Sequence, residues 1–216
     1  MGYSINDFKN SILAGVRPNL FSVSIPNITD LTSLNIFNAT PQDLTLLCKS
    51  AAIPSSTQGV AEVPFRGRVL KLPGDRTYDS WTATFYNDSQ FSIRSVFEGW
   101  INLINKGDGN VGQIDPRRIF KDITVRQLRK AGSVVTGEMG QFLDLTKTTD
   151  QLFPDEAVAD DANTLREYTL FGAFPTSVSQ ITLGFDQNDQ VEEFDVEFQY
   201  QYFSITTPGK ADISIY

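Results

Sequence analysis

The amino-acid sequence predicts a mainly β fold, an antiparallel barrel or sandwich with one packed α-helix and long loop insertions. Residues 193–203 alternate between apolar and polar side chains, which is the period of a strand with one buried face. Shorter runs of the same kind recur along the chain between clusters of turn residues. Residues 91–104 instead carry a stripe of apolar side chains at helical spacing, formed by Ile93, Val96, Phe97, Trp100 and Ile104.

The first part of the chain is expected to begin with a short helix between Ser4 and Gly15. Alternation and a high β-branched and aromatic content then predict four strands, at about residues 19–25, 44–51, 60–71 and 81–86. Residues 26–43 are rich in Asn, Thr and Asp, which favours an excursion or a long hairpin tip.

The predicted strand at residues 60–71 has two faces. One face is expected to carry Glu62, Arg66 and Arg68, and the other to carry Val63, Phe65 and Val69. Residues 72–81 are predicted to form a turn from their Pro, Gly and Asp content. This segment holds more charge than a turn needs, at Asp75, Arg76 and Asp79. A local ion pair that fixes the loop and a charged contact with another subunit explain that charge equally well.

The second part of the chain starts with the helix at residues 91–104, which Asp88 or Ser89 is expected to cap and Gly107 to end. Further strands are predicted at about residues 119–128, 168–171, 180–185 and 193–203. In the last strand the apolar face comprises Phe194, Val196, Phe198, Tyr200 and Tyr202, and the polar face comprises Asp195, Glu197, Gln199 and Gln201.

Residues 131–165 are rich in Gly, Thr and Asp and contain isolated apolar groups such as Leu152-Phe153. A stretch this long without secondary structure is unusual inside a compact domain. We therefore expect one domain over residues 1–216, with insertions at about 28–43 and 131–165. The second insertion is expected to make contacts outside the core and to lie outside any central channel.

Composition excludes several kinds of chemistry. The chain has one cysteine, Cys48, and no histidine, so an intramolecular disulfide, a Cys/His zinc site and a histidine base are all excluded. Cys48 lies beside Leu46 and Leu47 and is expected to be a small buried apolar residue rather than a nucleophile. We predict no cofactor, no metal and no enzymatic activity.

The charge is unevenly distributed along the chain. The net charge is −8; residues 1–137 hold 15 basic and 11 acidic side chains, whereas residues 138–216 hold 3 basic and 15 acidic. An acidic chain is poorly suited to gripping nucleic acid, whose phosphates need Lys and Arg. The sequence shows no pattern of a signal peptide and no run of about 20 apolar residues, so we expect no membrane span and folding in a cytoplasm.

Three weaker motifs have simpler explanations. Gly107, Gly109 and Gly112 have the spacing of a dinucleotide loop, but a helix precedes them and Pro116 follows, which favours an ordinary loop. The run from Asp186 to Glu197 resembles a calcium loop but has Val191 where glycine is required, so a hairpin turn is favoured. The acidic cluster at residues 155–161 is interpreted as a solvated loop.

Several segments, in this order, resemble the tail tube proteins of T-even-like contractile-tailed bacteriophages. The most specific is the run Gly74-Asp75-Arg76-Thr77-Tyr78-Asp79-Ser80-Trp81-Thr82, followed by Asn87-Asp88. The other matching segments are Arg17-Pro18-Asn19-Leu20-Phe21, Cys48-Lys49-Ser50-Ala51 with Ile53-Pro54, the helix near Trp100, Gly172-Ala173-Phe174-Pro175-Thr176 and the final alternating strand. The resemblance covers about residues 15–130 and 166–203, and the two insertions depart from it.

The resemblance implies a structural role in the virion. Such proteins form hexameric rings that stack into a tube inside a contractile sheath, between the baseplate and the tail terminator, and the genome passes through the lumen without specific binding. Assembly would take place in the host cytoplasm. The matching segments make Arg17, Gly74, Asp75, Arg76, Asp79 and Trp81 candidate subunit contacts.

The polar face of the last strand is expected to line the lumen. Its opposite face is apolar and must belong to the core, so Asp195, Glu197, Gln199 and Gln201 face either the lumen or the outer wall. Carboxylates and amides repel phosphates mildly and let a genome slide, whereas Lys and Arg would hold it. Arg66 and Arg68 would conflict with this lining unless acids pair with them or a neighbouring subunit covers them.

Three alternatives remain open at the level of sequence. The first is a related tube subunit, either a baseplate tube initiator or the tube of a phage-derived injection machine. The second is a soluble β-barrel that binds a small ligand, which would need an enclosed apolar cavity. The third is a hydrolase built on two carboxylates at a fixed separation.

Overall fold

The computed structural model describes residues 5, 15–26, 40–109, 111–112, 115–129, 164–186 and 190–207. In this part of the chain, the strands are β1 (Phe21–Ser24), β2 (Cys48–Ala51), β3 (Ser56–Phe65), β4 (Arg68–Tyr78), β5 (Trp81–Tyr86), β6 (Lys121–Leu128), β7 (Thr164–Val178), β8 (Glu193–Gln199) and β9 (Tyr202–Thr206). The helices are α1 (Pro41–Leu47), α2 (Ser92–Ile104) and α3 (Pro116–Ile119).

Two antiparallel sheets share the long strand β7. The first half of β7 lies between β6 and β9, with β1 beyond β6, and its second half pairs with β8, which continues through β5 to β2. The strand passes from one sheet to the other at Gly172, whose φ of 62° is a conformation that favours glycine. The mainly β, antiparallel fold class is confirmed.

The core lies between the sheets and helix α2, which was predicted correctly from its apolar stripe. Ile93, Val96, Phe97 and Trp100 are buried on the inner side of the helix. Phe97 packs edge-on against Phe198 of β8, with ring centroids 5.8 Å apart. The indole N–H of Trp100 donates to the carbonyl oxygen of Ile119 at 2.9 Å, so the buried nitrogen is satisfied.

The ends of helix α2 differ from the prediction. Neither Asp88 nor Ser89 caps it; Phe91 is the N-cap, with a left-handed backbone at φ 55° and no capping hydrogen bond from its side chain. The tight turn that precedes the helix explains this, because the backbone N–H of Phe91 donates to the carbonyl oxygen of Asp88 at 2.9 Å. The helix ends at Asn105, before the predicted stop at Gly107.

The predicted strand at residues 44–51 was wrong in its first half, where the chain forms helix α1. Thr40 and Asp43 form a capping box, in which each side chain satisfies the other's backbone N–H, and Pro41 occupies the first turn. Strand β2 begins only at Cys48. The local signal for a helix start therefore prevailed over the short apolar run that follows it.

The predicted single strand at residues 60–71 was also wrong, because the chain reverses at Arg66-Gly67. Both residues have positive φ, 47° and 81°, as a two-residue hairpin turn requires. The register pairs Phe65 with Arg68 and Pro64 with Val69. Arg68 therefore shares a face with Phe65 and Val63 rather than with Glu62, and Val69 lies on the opposite face. The predicted turn at residues 72–81 is mostly strand β4.

The predicted final strand is interrupted at residues 200–201. Phe194, Val196, Phe198 and Tyr200 are buried as predicted, but Tyr202 is exposed and stacks on Phe171 at 4.8 Å. The interruption moves the chain from pairing with the second half of β7 to pairing with its first half. One extra residue in such a break exchanges the two faces, so Phe203 packs towards the core instead.

Three other predictions have different outcomes. Residues 180–185 are not a strand, because the pairing of β7 with β8 ends at Val178. The predicted strand at residues 168–171 is the middle of the much longer β7. The insertion at residues 131–165, apart from its last two residues, lies outside the described part of the chain, as do most of the insertion at 28–43, the acidic cluster and nearly all of the predicted first helix.

Candidate assembly interface

The hairpin of β3 and β4 carries apolar side chains that the described residues leave uncovered. The register places Ala61, Val63 and Phe65 of β3 on one face with Leu70 and Leu72 of β4. Phe65 is 66% exposed and Leu70 is 57% exposed. Within the described residues, β3 and β4 form a sheet of their own. A two-stranded sheet is marginally stable in water, and an apolar patch of this kind marks a contact with another molecule.

The base of the hairpin is held firmly by the body. Tyr78 packs against Tyr200 and Phe203, with ring centroids 5.9 and 5.7 Å away. The strands approach most closely at Gly59, where an added Cβ would lie 2.9 Å from the carbonyl oxygen of Asp75. Only glycine allows this approach, which coincides with a shift in strand register. The ring contacts of Tyr78 and the close approach at Gly59 therefore fix the direction in which the hairpin leaves the body.

Five of the six predicted subunit-contact residues lie in three places. Gly74, Asp75 and Arg76 are on β4 near the base of the hairpin, and the exposed Asp79 follows β4 and accepts a hydrogen bond from Ser55 at 3.1 Å. Arg17 is exposed at the entry to β1.

Trp81 differs from the other five predicted contact residues. It is 2% exposed and packs on Phe198, and its indole N–H donates to the carbonyl oxygen of Ala52 at 2.6 Å. Its side chain stabilises the core and is not available to another subunit.

The polar face of β8 continues across its neighbouring strands. Asp195, Glu197 and Gln199 point away from the core, alternating with buried apolar residues, and Gln201 is exposed after the strand ends. The hydroxyl of Thr84 donates to Asp195 at 2.7 Å, and the hydroxyl of Ser50 donates to Thr84 at 3.0 Å. These bonds cross three strands, so the acidic and hydroxyl groups form one ordered polar surface.

Lys49, at the end of this polar surface, forms an ion pair with Glu193. The ammonium group of Lys49 lies 2.5 Å from a carboxylate oxygen of Glu193, and this hydrogen bond raises the pKa of Lys49. Lys49 therefore stays charged but is neutralised by its partner, which limits the positive potential at this edge of the surface.

The described residues offer little to catalysis. Burial raises the pKa of the Cys48 thiol to about 12, so the thiol stays neutral and is a poor nucleophile. No group of three or more potential metal ligands occurs among the described residues. Gly107, Gly109 and Gly112 follow helix α2, whereas the glycines of a dinucleotide loop follow a strand. No helix in the described ranges is long and apolar enough to span a membrane.

The described body has a buried core and two surfaces that another chain can contact. One is the apolar face of the β3–β4 hairpin, and the other is the ordered polar face of the sheet. This combination is typical of a structural subunit. The family model for phage tail tube proteins matches residues 16–206. The chain belongs to the phage tail tube protein family. The resemblance noted in the sequence is thereby confirmed, and the chain is a structural, non-enzymatic component of the phage tail.

Individual relatives agree with this assignment. The chain is 27% identical over 188 residues to the tail tube protein gp19 of Enterobacteria phage T4, a match that covers 87% of this chain and 90% of that protein. The match to the protein of the same name from Enterobacteria phage T6 has the same identity and coverage. The tail tube protein of Serratia phage KSP90 is 25% identical over 159 residues, which covers 74% of this chain and 73% of that protein.

Solved structures of similar fold come from contractile injection systems. A chain of the sheath–tube complex of an extracellular contractile injection system superposes with a TM-score of 0.56 at 14% identity, covering 95% of this chain and 99% of that chain. A chain of the tube-terminating cap of the anti-feeding prophage gives 0.54 at 15% identity, covering 89% and 91%. At this identity the likeness shows a shared fold.

Proposed function

We propose that six copies of this chain form a ring and that the rings stack head to tail into the inner tube of a contractile tail. The apolar face of the β3–β4 hairpin carries this proposal, because the described residues of one copy leave it in water and a neighbouring copy can bury it. Heterologous contacts join two different surfaces of identical copies, and they either close into a ring or continue as a filament. A tube of stacked rings needs one contact of each kind.

The sheet edges of the body support the same arrangement. Strand β2 is the edge strand of one sheet. A second free edge lies along β7, whose pairing with β6 stops at Ala173. Beyond Ala173, no described strand pairs with that edge of β7. Unpaired edges can bind another strand, and closure of the sheet into a barrel removes them. We propose that the sheets of neighbouring copies join at these edges around a lumen.

We place the polar face of β8 on that lumen. Asp195, Glu197, Gln199 and Gln201 would repeat around the bore and repel the phosphates of the genome mildly, so DNA passes without specific binding. Arg17, Gly74, Asp75, Arg76 and Asp79 remain proposed contact residues between copies. The proposed partners outside the tube are the sheath, the baseplate and the tail terminator, with assembly in the host cytoplasm.

The insertions at about 28–43 and 131–165 belong, in this proposal, to the same single domain, and the second insertion lies outside the lumen, on the outer wall or between rings. Deleting residues 140–162 should leave the body folded but weaken stacking or sheath binding. Unchanged tube length and sheath assembly after this deletion would contradict that placement.

Negative-stain microscopy of the purified protein tests the proposal. We expect rings at low concentration and tubes of uniform width at high concentration or on addition of baseplates. A protein that stays monomeric at every concentration, with and without baseplates, would contradict it.

A further inference from the structure

A second exposed apolar surface lies at the end of β5 opposite to the hairpin. A cleft of about 860 Å³ opens between Tyr86 at the end of β5, the segment at residues 181–185 and the segment at residues 190–193. Leu183 is 78% exposed, Val191 is 64% exposed and Phe185 is fully exposed. Apolar side chains gathered around an open cleft are an unusual arrangement for a surface that only water contacts.

The hairpin and the cleft occupy opposite ends of one strand pair. Strands β5 and β8 pair from Trp81 with Phe198 at one end to Tyr86 with Glu193 at the other. The hairpin leaves the body beside Trp81, and the cleft lies at Tyr86, about 17 Å away at roughly 3.4 Å per residue. A protrusion at one end and a recess at the other suit a head-to-tail contact between identical copies.

The charges of the two surfaces are complementary. The tip of the hairpin carries Arg66 in the turn and Arg68 beside Phe65 on the apolar face. The cleft region carries Asp186, Glu192 and Glu193. Glu193 is paired with Lys49, and Glu192 accepts a hydrogen bond from Asn87 at 2.8 Å, which leaves an acidic excess around the cleft. Opposite charges around an apolar contact select the correct partner and orientation.

The volume of the cleft also suits the tip. Pockets of about 300–1,000 Å³ hold drug-sized groups, so a cleft in this range has room for the Phe65 ring and apolar neighbours such as Leu70. An aromatic side chain has few rotatable bonds and loses little conformational freedom on docking, which is why such residues often dominate interface energies.

We propose that the hairpin tip of one copy, with Phe65 foremost, docks in the cleft between Tyr86, Leu183 and Val191 of a second copy. Arg66 and Arg68 then lie against the acidic excess around that cleft. The inference rests on the proposed tube and specifies one contact between its subunits. It also gives the two arginines acidic partners that keep them from binding DNA.

A photoreactive phenylalanine analogue at position 65 tests the docking directly. Copies carrying the analogue are mixed in a minority with wild-type copies, so that assembly proceeds, and cross-linked peptides are identified by mass spectrometry. We expect cross-links from position 65 to residues 181–193 of a second copy in tubes and none in dilute monomer. The same analogue at Leu46, exposed on helix α1, serves as the matched control and should not give this cross-link.

Charge reversals provide an independent measurement. Arg68→Glu should raise the critical concentration for polymerisation about tenfold, and Asp186→Arg in the same chain should restore part of that loss. Lys106→Glu is the matched control, because Lys106 is exposed and its ion pair with Asp108 at 3.5 Å lies in the loop after α2.

The outcomes separate the docking from the tube itself. Tubes whose cross-links from position 65 map elsewhere, or in which Arg68→Glu acts no more strongly than Lys106→Glu, overturn the docking and leave the tube intact. Wild-type protein that forms no tubes under any condition overturns both.

Discussion

The body of the protein and its β3–β4 hairpin contain the same kinds of apolar side chains in opposite situations. In the body, Phe85, Phe97 and Phe198 are fully buried against one another. In the hairpin, Phe65 and Leu70 lie on a comparable apolar face that remains in water. The described body therefore buries its own apolar core, whereas the described hairpin presents an apolar face that another molecule can cover.

This difference separates two roles of hydrophobic burial. Burial within one chain stabilises the fold, and burial between chains drives association. Because the hairpin is joined to the body mainly at its base, around Tyr78, changes at its tip should affect assembly far more than folding. Changes in the body should do the reverse.

Removing the hairpin tip should have the largest effect. Val60 and Pro73 lie opposite one another, so residues 61–72 can be replaced by an Asn-Gly turn that closes the shortened hairpin. We expect no rings or tubes in electron micrographs, while circular dichroism and the melting temperature stay close to those of the intact protein. Tubes of normal length from this variant would contradict the division of roles.

A matched pair of phenylalanine truncations sharpens the comparison. Phe198→Ala removes a ring that packs on Trp81, Phe97 and Trp100, and should lower the free energy of unfolding by about 3–5 kcal/mol. Phe65→Ala should change it by less than about 0.5 kcal/mol, since the ring is exposed, yet weaken polymerisation. Urea denaturation and sedimentation measure the two quantities. Equal losses of stability in both variants would show that the hairpin is part of the folding unit.

The reactivity of a thiol in the body can be compared with that of a thiol introduced in the hairpin. At pH 8 the native Cys48, whose pKa is raised to about 12, should react with iodoacetamide about a hundredfold more slowly than the introduced thiol of V63C in a C48S background. Assembly should protect the introduced thiol, because it lies on the apolar face of the hairpin. Urea should expose Cys48 and remove the difference between the two thiols.

The same pKa gives the sign of an effect of pH on stability. The thiol of Cys48 titrates at about 12 in the folded chain against an ordinary value of 9.0, so the folded state retains the proton more strongly. This contribution to stability is present below about pH 9 and is lost as the pH rises towards 12. A C48S variant should lack this component of the pH dependence.

The smallest predicted loss of stability within the body lies at the bend of β7. Gly172 has a φ of 62°, and an added Cβ would lie 3.1 Å from Cγ of Gln201. Gly172→Ala should therefore destabilise the body by about 1–2 kcal/mol in urea denaturation. Gly107→Ala, in a loop where an added Cβ meets nothing within 4 Å, is the matched control and should be neutral.

The regular elements could be predicted because their periods are visible in the sequence. Helix α2 and strand β8 each repeat an apolar residue at the spacing of their own structure, and their buried faces agree with the prediction. Helix α1 was missed although Thr40 and Asp43 form a recognisable capping box. The short apolar run at Leu44 is also compatible with a strand, but the capping box before it starts a helix.

The hairpin could not be predicted from alternation alone. Arg66 adopts a positive φ that non-glycine residues rarely take, so the turn was hidden inside an apparently continuous strand. That turn determines which residues share a face, and hence that Phe65, Leu70 and Leu72 form one apolar surface. The cleft at Tyr86 was missed for a related reason, because residues 180–185 have the composition of a strand but lie beyond the end of the sheet.

A reconstruction of the assembled protein by electron cryomicroscopy, at a resolution that shows side chains, tests the central claim most directly. We predict six copies around a bore, with Asp195, Glu197, Gln199 and Gln201 facing that bore and the apolar face of each hairpin buried against another copy. Hairpins whose apolar faces remain in solvent would contradict the account. So would a bore lined by unpaired Lys and Arg, or a polar β8 face that points outward.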